Sequence, residues 1–260
     1  MTLPGFRYSG VVTAPQYDFY HTYGFLIYRA MLSQHDIETI KREAKDLETA
    51  TLRGDIPPED VDDITPWGKD VNGKPLVHRL IYFTKYCGRT RQIVEDKRLG
   101  AIGIGLLSDS TWLLDDTMHG SVLQTKVATP GSRYAQIKWH IDFSTDHVLA
   151  PVVTVGVYLD KSTVENGCLI LVPGSHVMPP RRADPAWAPV EVEPGDVICH
   201  ADTLYHASTR PTVFGQVRRT LYLYYCAGEY PGPNLPFRDA ETKDRARRLF
   251  LRRGQDVAVT

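Results

Sequence analysis

The chain has 260 residues, enough for one large domain or two small ones. Apolar residues make up 42% and charged residues 23%, the mix of a globular chain that buries a sizeable core. With 30 Lys plus Arg against 31 Asp plus Glu, net charge is near zero, which argues against a general electrostatic grip on nucleic acid or a membrane surface.

No apolar run approaches the roughly 20 residues of a membrane span. The opening "MTLPGFRYSGVV" lacks the basic and apolar regions of a secretory signal. A cytoplasmic location is expected. Cys87, Cys168, Cys199 and Cys226 show no CxxC spacing and are expected as reduced, packed thiols.

In chain order, "APQYDFYHTYGFLIYR" predicts a short helix and, after Gly24, a strand. "LSQHDIETIKREAKDLETAT" predicts a second helix, capped by Ser33, with Ile37, Ile40, Ala44 and Leu47 at helical spacing. Residues 54–75, rich in Asp, Pro and Gly, read as a long solvated loop without the spacing of a calcium-binding loop. Together with the N-terminal helices this loop is the expected lid over a pocket. Residues 76–106 read as mostly helical.

From about residue 110 the texture changes. "SVLQTKVA", "AQIKWHIDF", "PVVTVGVYLD", "CLILVPGSH", "PVEVEPGDVICHA" and "RRTLYLYYCA" are β-branched or aromatic runs separated by turn residues, the pattern of a sandwich or jelly roll. "RDAETKDRARRLFLRRG" predicts a closing helix whose arginines face solvent. The fold class is therefore α+β with the β part dominant. One domain over 1–260 is expected: a helical part at 1–109, a β core at 110–228 and a C-terminal segment at 229–260.

Within "KWHIDFSTDH", strand alternation puts His140 and Asp142 on one face and Trp139, Ile141 and Phe143 on the other. Alone, the triplet is better read as a surface pair. Some 65 residues on, however, "EPGDVICHADTLYHAS" places His206 at the start of another strand. Two histidines and one carboxylate make a facial set that leaves positions open on an octahedral iron. "VRRTLYLYY" then brings arginine to a strand mouth, and arginine is the planar, permanently charged partner that the far carboxylate of a 2-oxo acid needs. Alternation puts Arg218, Thr220, Tyr222 and Tyr224 on one face. A slip of one residue would exchange Arg218 for Arg219.

At these residues the chain resembles a known family. "WHIDF", "VENGCLILVPGSH", "PGDV…LYHAS" and "RRTLYLYY", in that order over about residues 120–226, are similar to the phytanoyl-CoA dioxygenase family of iron(II)/2-oxoglutarate-dependent oxygenases, including its ectoine hydroxylase members. The resemblance implies a double-stranded β-helix, a cupin-like jelly roll flanked by helices. It implies His140, Asp142 and His206 as ligands of Fe(II), Arg218 as the 2-oxoglutarate anchor, and Ser208 as a hydroxyl holding the same carboxylate. O2 and 2-oxoglutarate would be co-substrates and a small molecule the substrate, in specialised metabolism. "CHAD" departs from the family pattern and makes Cys199 and His200 unusual.

Other residues carry plainer readings. Gln124 and Lys126 share a face of a strand expected to adjoin the ligand strand, lining the pocket or facing solvent. His147 is expected in a loop or at the pocket edge. His176 lies in a tight turn, and Glu165-Asn166-Gly167 reads as a hairpin turn. His21, His35, His78 and His119 read as surface or core residues. The rival function is a non-oxidative protein on the same jelly roll, either a zinc or manganese isomerase or a binding module. Arg218 with Ser208 discriminates, because an isomerase needs no 2-oxo acid anchor.

Overall fold

Thr13 and Pro15 open the first helix, α1 (Ala14–Tyr23), where the backbone N–H of Thr13 donates to Gln16 Oε1 at 3.0 Å. Gly24 ends it in the left-handed region at φ 82°, as helix-stop glycines do, and the chain enters β1 (Phe25–Tyr28). The computed structural model describes residues 3–56, 66–69, 73, 75–107, 110–113, 121–127, 136–142, 151–180 and 186–229.

Helix α2 (Gln34–Arg53) begins at a reciprocal box. Asp36 N–H donates to Ser33 Oγ, and Ser33 N–H donates to Asp36 Oδ2, both at 3.2 Å. Its predicted stripe, Ile37, Ile40, Ala44 and Leu47, is buried. Full burial of a side chain such as Ile37 stabilises by about 1.5–3 kcal/mol. Two short strands follow, β2 (Pro66–Lys69) and β3 (Pro75–Val77), then β4 (Arg79–Leu80). Three helices come next: α3 (Phe83–Tyr86), α4 (Gly88–Glu95) and α5 (Lys97–Leu106).

The β part comprises β5 (Thr111–Leu113), β6 (Val122–Val127), β7 (Val152–Tyr158), β8 (Leu169–Leu171), β9 (Ala188–Val190), β10 (Val197–Ala201), β11 (His206–Ser208) and β12 (Val217–Ala227). The main sheet is seven-stranded, in the order β1-β10-β7-β12-β6-β4, with β5 also paired to β12. A three-stranded sheet runs β11-β8-β9, and β2 pairs β3 alone. All these strand pairs are antiparallel. The result is a mixed α+β architecture with N-terminal helices against antiparallel sheets.

Alternation on β12 sorts its side chains. Leu221, Leu223 and Tyr225 join the large core with Ile37 and Ile40 of α2 and Leu99 and Ile102 of α5. Tyr224 and Cys226 face the other way, in a second apolar cluster with Trp112, Val122 and Val152. That inner face carries the polar residues described below.

Buried Asp196, in the turn before β10, fastens β1 to the sheet. It accepts from Arg29 Nη1 at 2.7 Å, from Ala30 N–H at 2.8 Å and from Glu193 N–H at 3.1 Å. Asp196→Ala would strip the two backbone donors of their acceptor and leave Arg29 Nη1 with the Glu191 carbonyl alone. It should destabilise the protein by about 3 kcal/mol in chemical denaturation.

Several expectations need correction. The loop predicted over 54–75 contains β2 and the start of the β2–β3 pairing, while 57–65, 70–72 and 74 lie outside the described residues. Residues 76–106 are mostly helical as expected, and only their start is strand, where Arg79 and Leu80 pair with Gln124 and Leu123. "AQIKWHIDF" forms no strand over its described part; it meets β11 through one isolated bridge, His140 with His206. Glu165–Gly167 is a turn but not a hairpin, since it joins β7 of one sheet to β8 of the other. β6 adjoins β12 and β4, not the segment bearing His140. The predicted C-terminal helix, the C-terminal segment beyond Glu229, and His119, Phe143 and His147 lie outside the described residues.

Candidate metal centre and anion pocket

His206 opens β11, in the small sheet, and exchanges backbone hydrogen bonds with His140 at 2.9 and 3.0 Å. Further bonds hold the His140 segment in place, among them Ser208 N–H to Ile137 O at 3.0 Å. Ile137 N–H donates to Ser208 Oγ at 2.8 Å, and Asp142 N–H donates to Asp202 O at 2.9 Å. The segment therefore needs no long ladder to be fixed. One ligand atom from each of His140, Asp142 and His206 lies within 4.8 Å of the others, a group that could hold a metal ion.

The tautomers follow from the hydrogen bonds. His140 Nδ1 lies 2.8 Å from Lys138 O, and His206 Nδ1 lies 2.8 Å from Leu204 O. A carbonyl only accepts, so each Nδ1 carries the proton and each Nε2 presents its lone pair. Those Nε2 atoms stand 3.7 Å and 3.6 Å from Asp142 Oδ1. Backbone carbonyls that fix the tautomer in this way are the usual outer support of a metal-binding histidine.

A third imidazole closes in. His200, on the inner face of β10, lies 3.8 Å from Asp142 Oδ2 through Nε2, and its ring centroid is 4.5 Å from that of His206. Its Nδ1 meets Ala201 O at 3.1 Å. The site thus sits where the two sheets meet, His206 coming from one and His200 from the other.

Burial pushes both His200 and His206 down to about 4. Burial alone would raise the Asp142 carboxyl, but His206, His200, His140 and a hydrogen bond from Thr154 outweigh it and leave the group below its ordinary range. At neutral pH the site holds one carboxylate and at least two neutral imidazoles. This donor set fits a divalent ion of intermediate softness such as iron(II). Trp139, expected on an apolar face, is half-buried and stacks on Tyr205, with centroids 5.1 Å apart and planes 16° apart.

Further along the inner face, Arg218 of β12 pairs with Lys126 of β6. Their exposures are 6% and 8%. Neither side chain has a hydrogen bond or ion pair among the described residues, so two buried basic groups stand side by side without a counter-ion. Burial and the charge of Arg218 hold the Lys126 ammonium well below its usual range. Burial also lowers Arg218. Gly167 makes room for the guanidinium: a Cβ there would come within 2.8 Å of Arg218 Nη2, at a φ of 94° that side chains rarely adopt. Half-buried Gln124 shares the face of Lys126 and pairs with Thr220.

Arg219 points the other way. Its Nε and Nη2 donate to Asp160 Oδ2 and Oδ1 at 2.8 and 2.9 Å, a bidentate pair. Ser208, 1% exposed, accepts from Ile137 through Oγ and keeps its own proton to donate. Sequence reasoning missed Thr154, whose Oγ1 donates to Asp142 Oδ2 at 2.7 Å. "VVTVGVY" reads only as a buried strand, and no sequence signal ties it to Asp142.

A histidine–carboxylate–histidine set on a mixed α+β scaffold is the kind of centre that mononuclear iron(II) oxygenases use. Residues 20–212 match the family "Phytanoyl-CoA dioxygenase (PhyH)". The chain belongs to that family, which is one of non-haem iron(II)/2-oxoglutarate-dependent dioxygenases. It is 26% identical over 173 residues to the ectoine dioxygenase of Halomonas elongata, a match taking in 65% of this chain and 47% of that protein. The chain thus spans about half the length of that curated relative.

Among solved structures, EctD from S. alaskensis with 2-oxoglutarate and 5-hydroxyectoine aligns with TM-score 0.65 and 20% identity, over 86% of this chain and 79% of that one. The non-heme alpha ketoglutarate dependent carbocyclase SnoK from nogalamycin biosynthesis aligns with TM-score 0.63 and 19% identity, over 85% and 87%. At these identities the structural likeness speaks to fold. Among the described residues no helix is long and apolar enough to cross a membrane.

Proposed function

We propose that this chain is an iron(II)/2-oxoglutarate-dependent oxygenase that oxidises a C–H bond of a small molecule, one 2-oxoglutarate giving succinate and CO2 for each O2 consumed. The observation that carries the reading is the buried Arg218–Lys126 pair, on the same face of the main sheet as Thr154 and His200, the two residues that meet Asp142. Uncompensated buried charge is costly, and a carboxylate ligand relieves it. A zinc or manganese isomerase would leave these two buried basic groups without a use.

In this reading His140, Asp142 and His206 hold iron(II), with Nδ1 protons kept on Lys138 and Leu204 carbonyls. Iron bound there, with 2-oxoglutarate and O2, supplies the oxidising power for C–H cleavage. Arg218 binds the far carboxylate of 2-oxoglutarate by its fork of N–H donors, and Lys126 adds a second charge. The Ser208 hydroxyl and Gln124 complete that pocket as hydrogen-bond partners. Trp112, Val122, Val152 and Tyr224 keep the adjoining interior apolar and exclude water. The two sheets are proposed to close as a double-stranded β-helix within one domain, and the likeness to EctD and SnoK supports that closure. The place of SnoK in nogalamycin biosynthesis supports specialised metabolism as the context.

The test is a small-molecule panel supplied with iron(II), 2-oxoglutarate and O2. At least one compound should stimulate succinate release with matching product. Succinate release no higher in the presence of any compound, from protein that also fails to bind 2-oxoglutarate, would sink the proposal.

A further inference from the structure

Thr154 stands mid-strand in β7, 1% exposed, opposite His200 of β10 and Tyr224 of β12. The two oxygens of Asp142 meet different surroundings. Oδ1 faces the Nε2 atoms of His140 and His206 at 3.7 and 3.6 Å, while Oδ2 accepts from Thr154 Oγ1 at 2.7 Å. We infer that Thr154 is a positioning residue that reserves Oδ2, so that Asp142 binds the metal through Oδ1 alone and leaves a coordination position open. The inference rests on the oxygenase reading above.

The reasoning is one of coordination number. A carboxylate that swings to use both oxygens occupies two of an octahedral ion's positions instead of one. A site that must admit a chelating 2-oxo acid and O2 needs three positions beyond its protein ligands. Something has to occupy Oδ2. His200 cannot, because its Nδ1 proton points at Ala201 O and its Nε2 lone pair faces Oδ2 at 3.8 Å. Two acceptors make no hydrogen bond. Thr154 gives Oδ2 its one hydrogen bond among the described residues, and that bond also resists rotation of the carboxylate.

The experiment is a titration of metal-free full-length protein with iron(II), and with cobalt(II), whose visible bands report coordination number. Wild type, Thr154→Val and Thr154→Ser are compared, with thermal melting of each metal-free form. Val matches the shape of Thr without the hydroxyl. Thr154→Val should bind both metals roughly 10- to 100-fold more weakly and shift the cobalt spectrum toward higher coordination number. Thr154→Ser should restore affinity and spectrum. Thr154→Ala serves as the second hydroxyl-free variant should the Val form not fold, with the same expected loss. Wild-type affinity and spectrum in the hydroxyl-free variant, with or without a lower melting temperature, would overturn the inference, as would failure of Ser to restore them. Wild type that takes up neither metal at one per chain is a different result, and it overturns the oxygenase reading together with this one.

Discussion

His206→Ala should give a folded protein that holds iron(II) at least ~100-fold more weakly than wild type, with no substrate-stimulated succinate release. The magnitude exceeds what removal of an outer-shell partner costs, because one of three protein ligands is gone. The fold should survive, since the hydrogen bonds between His140 and His206 are made by backbone atoms that alanine keeps. Iron content and circular dichroism measured together check both halves. Asp142→Ala should behave alike. Asp142→Glu should rescue neither, because one more methylene moves the carboxylate by about 1.5 Å, far beyond the ±0.2 Å tolerance of metal–ligand distances. Full iron content in His206→Ala would make His200, whose ring lies 4.5 Å from that of His206, the replacement ligand.

Arg218→Ala should weaken 2-oxoglutarate binding by about 2–5 kcal/mol, roughly 30- to 5,000-fold, while leaving iron(II) affinity near wild type. Stability points the other way. The substitution removes a buried cation that has no counter-ion and stands beside Lys126, so the ligand-free protein should melt no lower than wild type. Arg219→Ala should show the opposite signature. It breaks the bidentate pair with Asp160 and should cost about 1.5–3 kcal/mol of stability, with 2-oxoglutarate affinity within a few-fold of wild type. Calorimetric titration and melting of the two variants side by side separate an anchor from a structural ion pair. The reverse ranking would move the anchor to Arg219.

How much could be read from the sequence varied with how local the cause was. The helices α1 and α2 were legible because their caps, Gly24 and Ser33, and the stripe at Ile37, Ile40, Ala44 and Leu47 act within a few residues. The facing of Arg218 was legible for the same reason: period-two alternation through β12 carries it inward and Arg219 outward. The segment around His140 was misread as a strand because its composition is strand-like. Beyond a short backbone contact with β11 at His206 and Ser208, its hydrogen bonds go to a serine hydroxyl and to Asp202 in the turn after β10, partners that composition does not reveal. For Lys126 the sequence left pocket and solvent open, and it put the strand beside the wrong neighbour. Sheet order is set by long-range pairing, and β6 lies against β12, not against the ligand segment. Thr154 and His200 meet Asp142 only because β7 and β10 are adjacent in the main sheet, so neither could be assigned before the sheet was known.

The central claim is that one pocket holds iron(II) on His140, Asp142 and His206 and 2-oxoglutarate on Arg218. Anaerobic absorption spectroscopy tests it most directly. Wild-type protein given both iron(II) and 2-oxoglutarate should develop a visible charge-transfer band that neither addition produces alone, and His206→Ala and Arg218→Ala should lack it under the same conditions. Wild-type protein that binds both components at one per chain yet shows no such band would place them in separate sites and contradict the account.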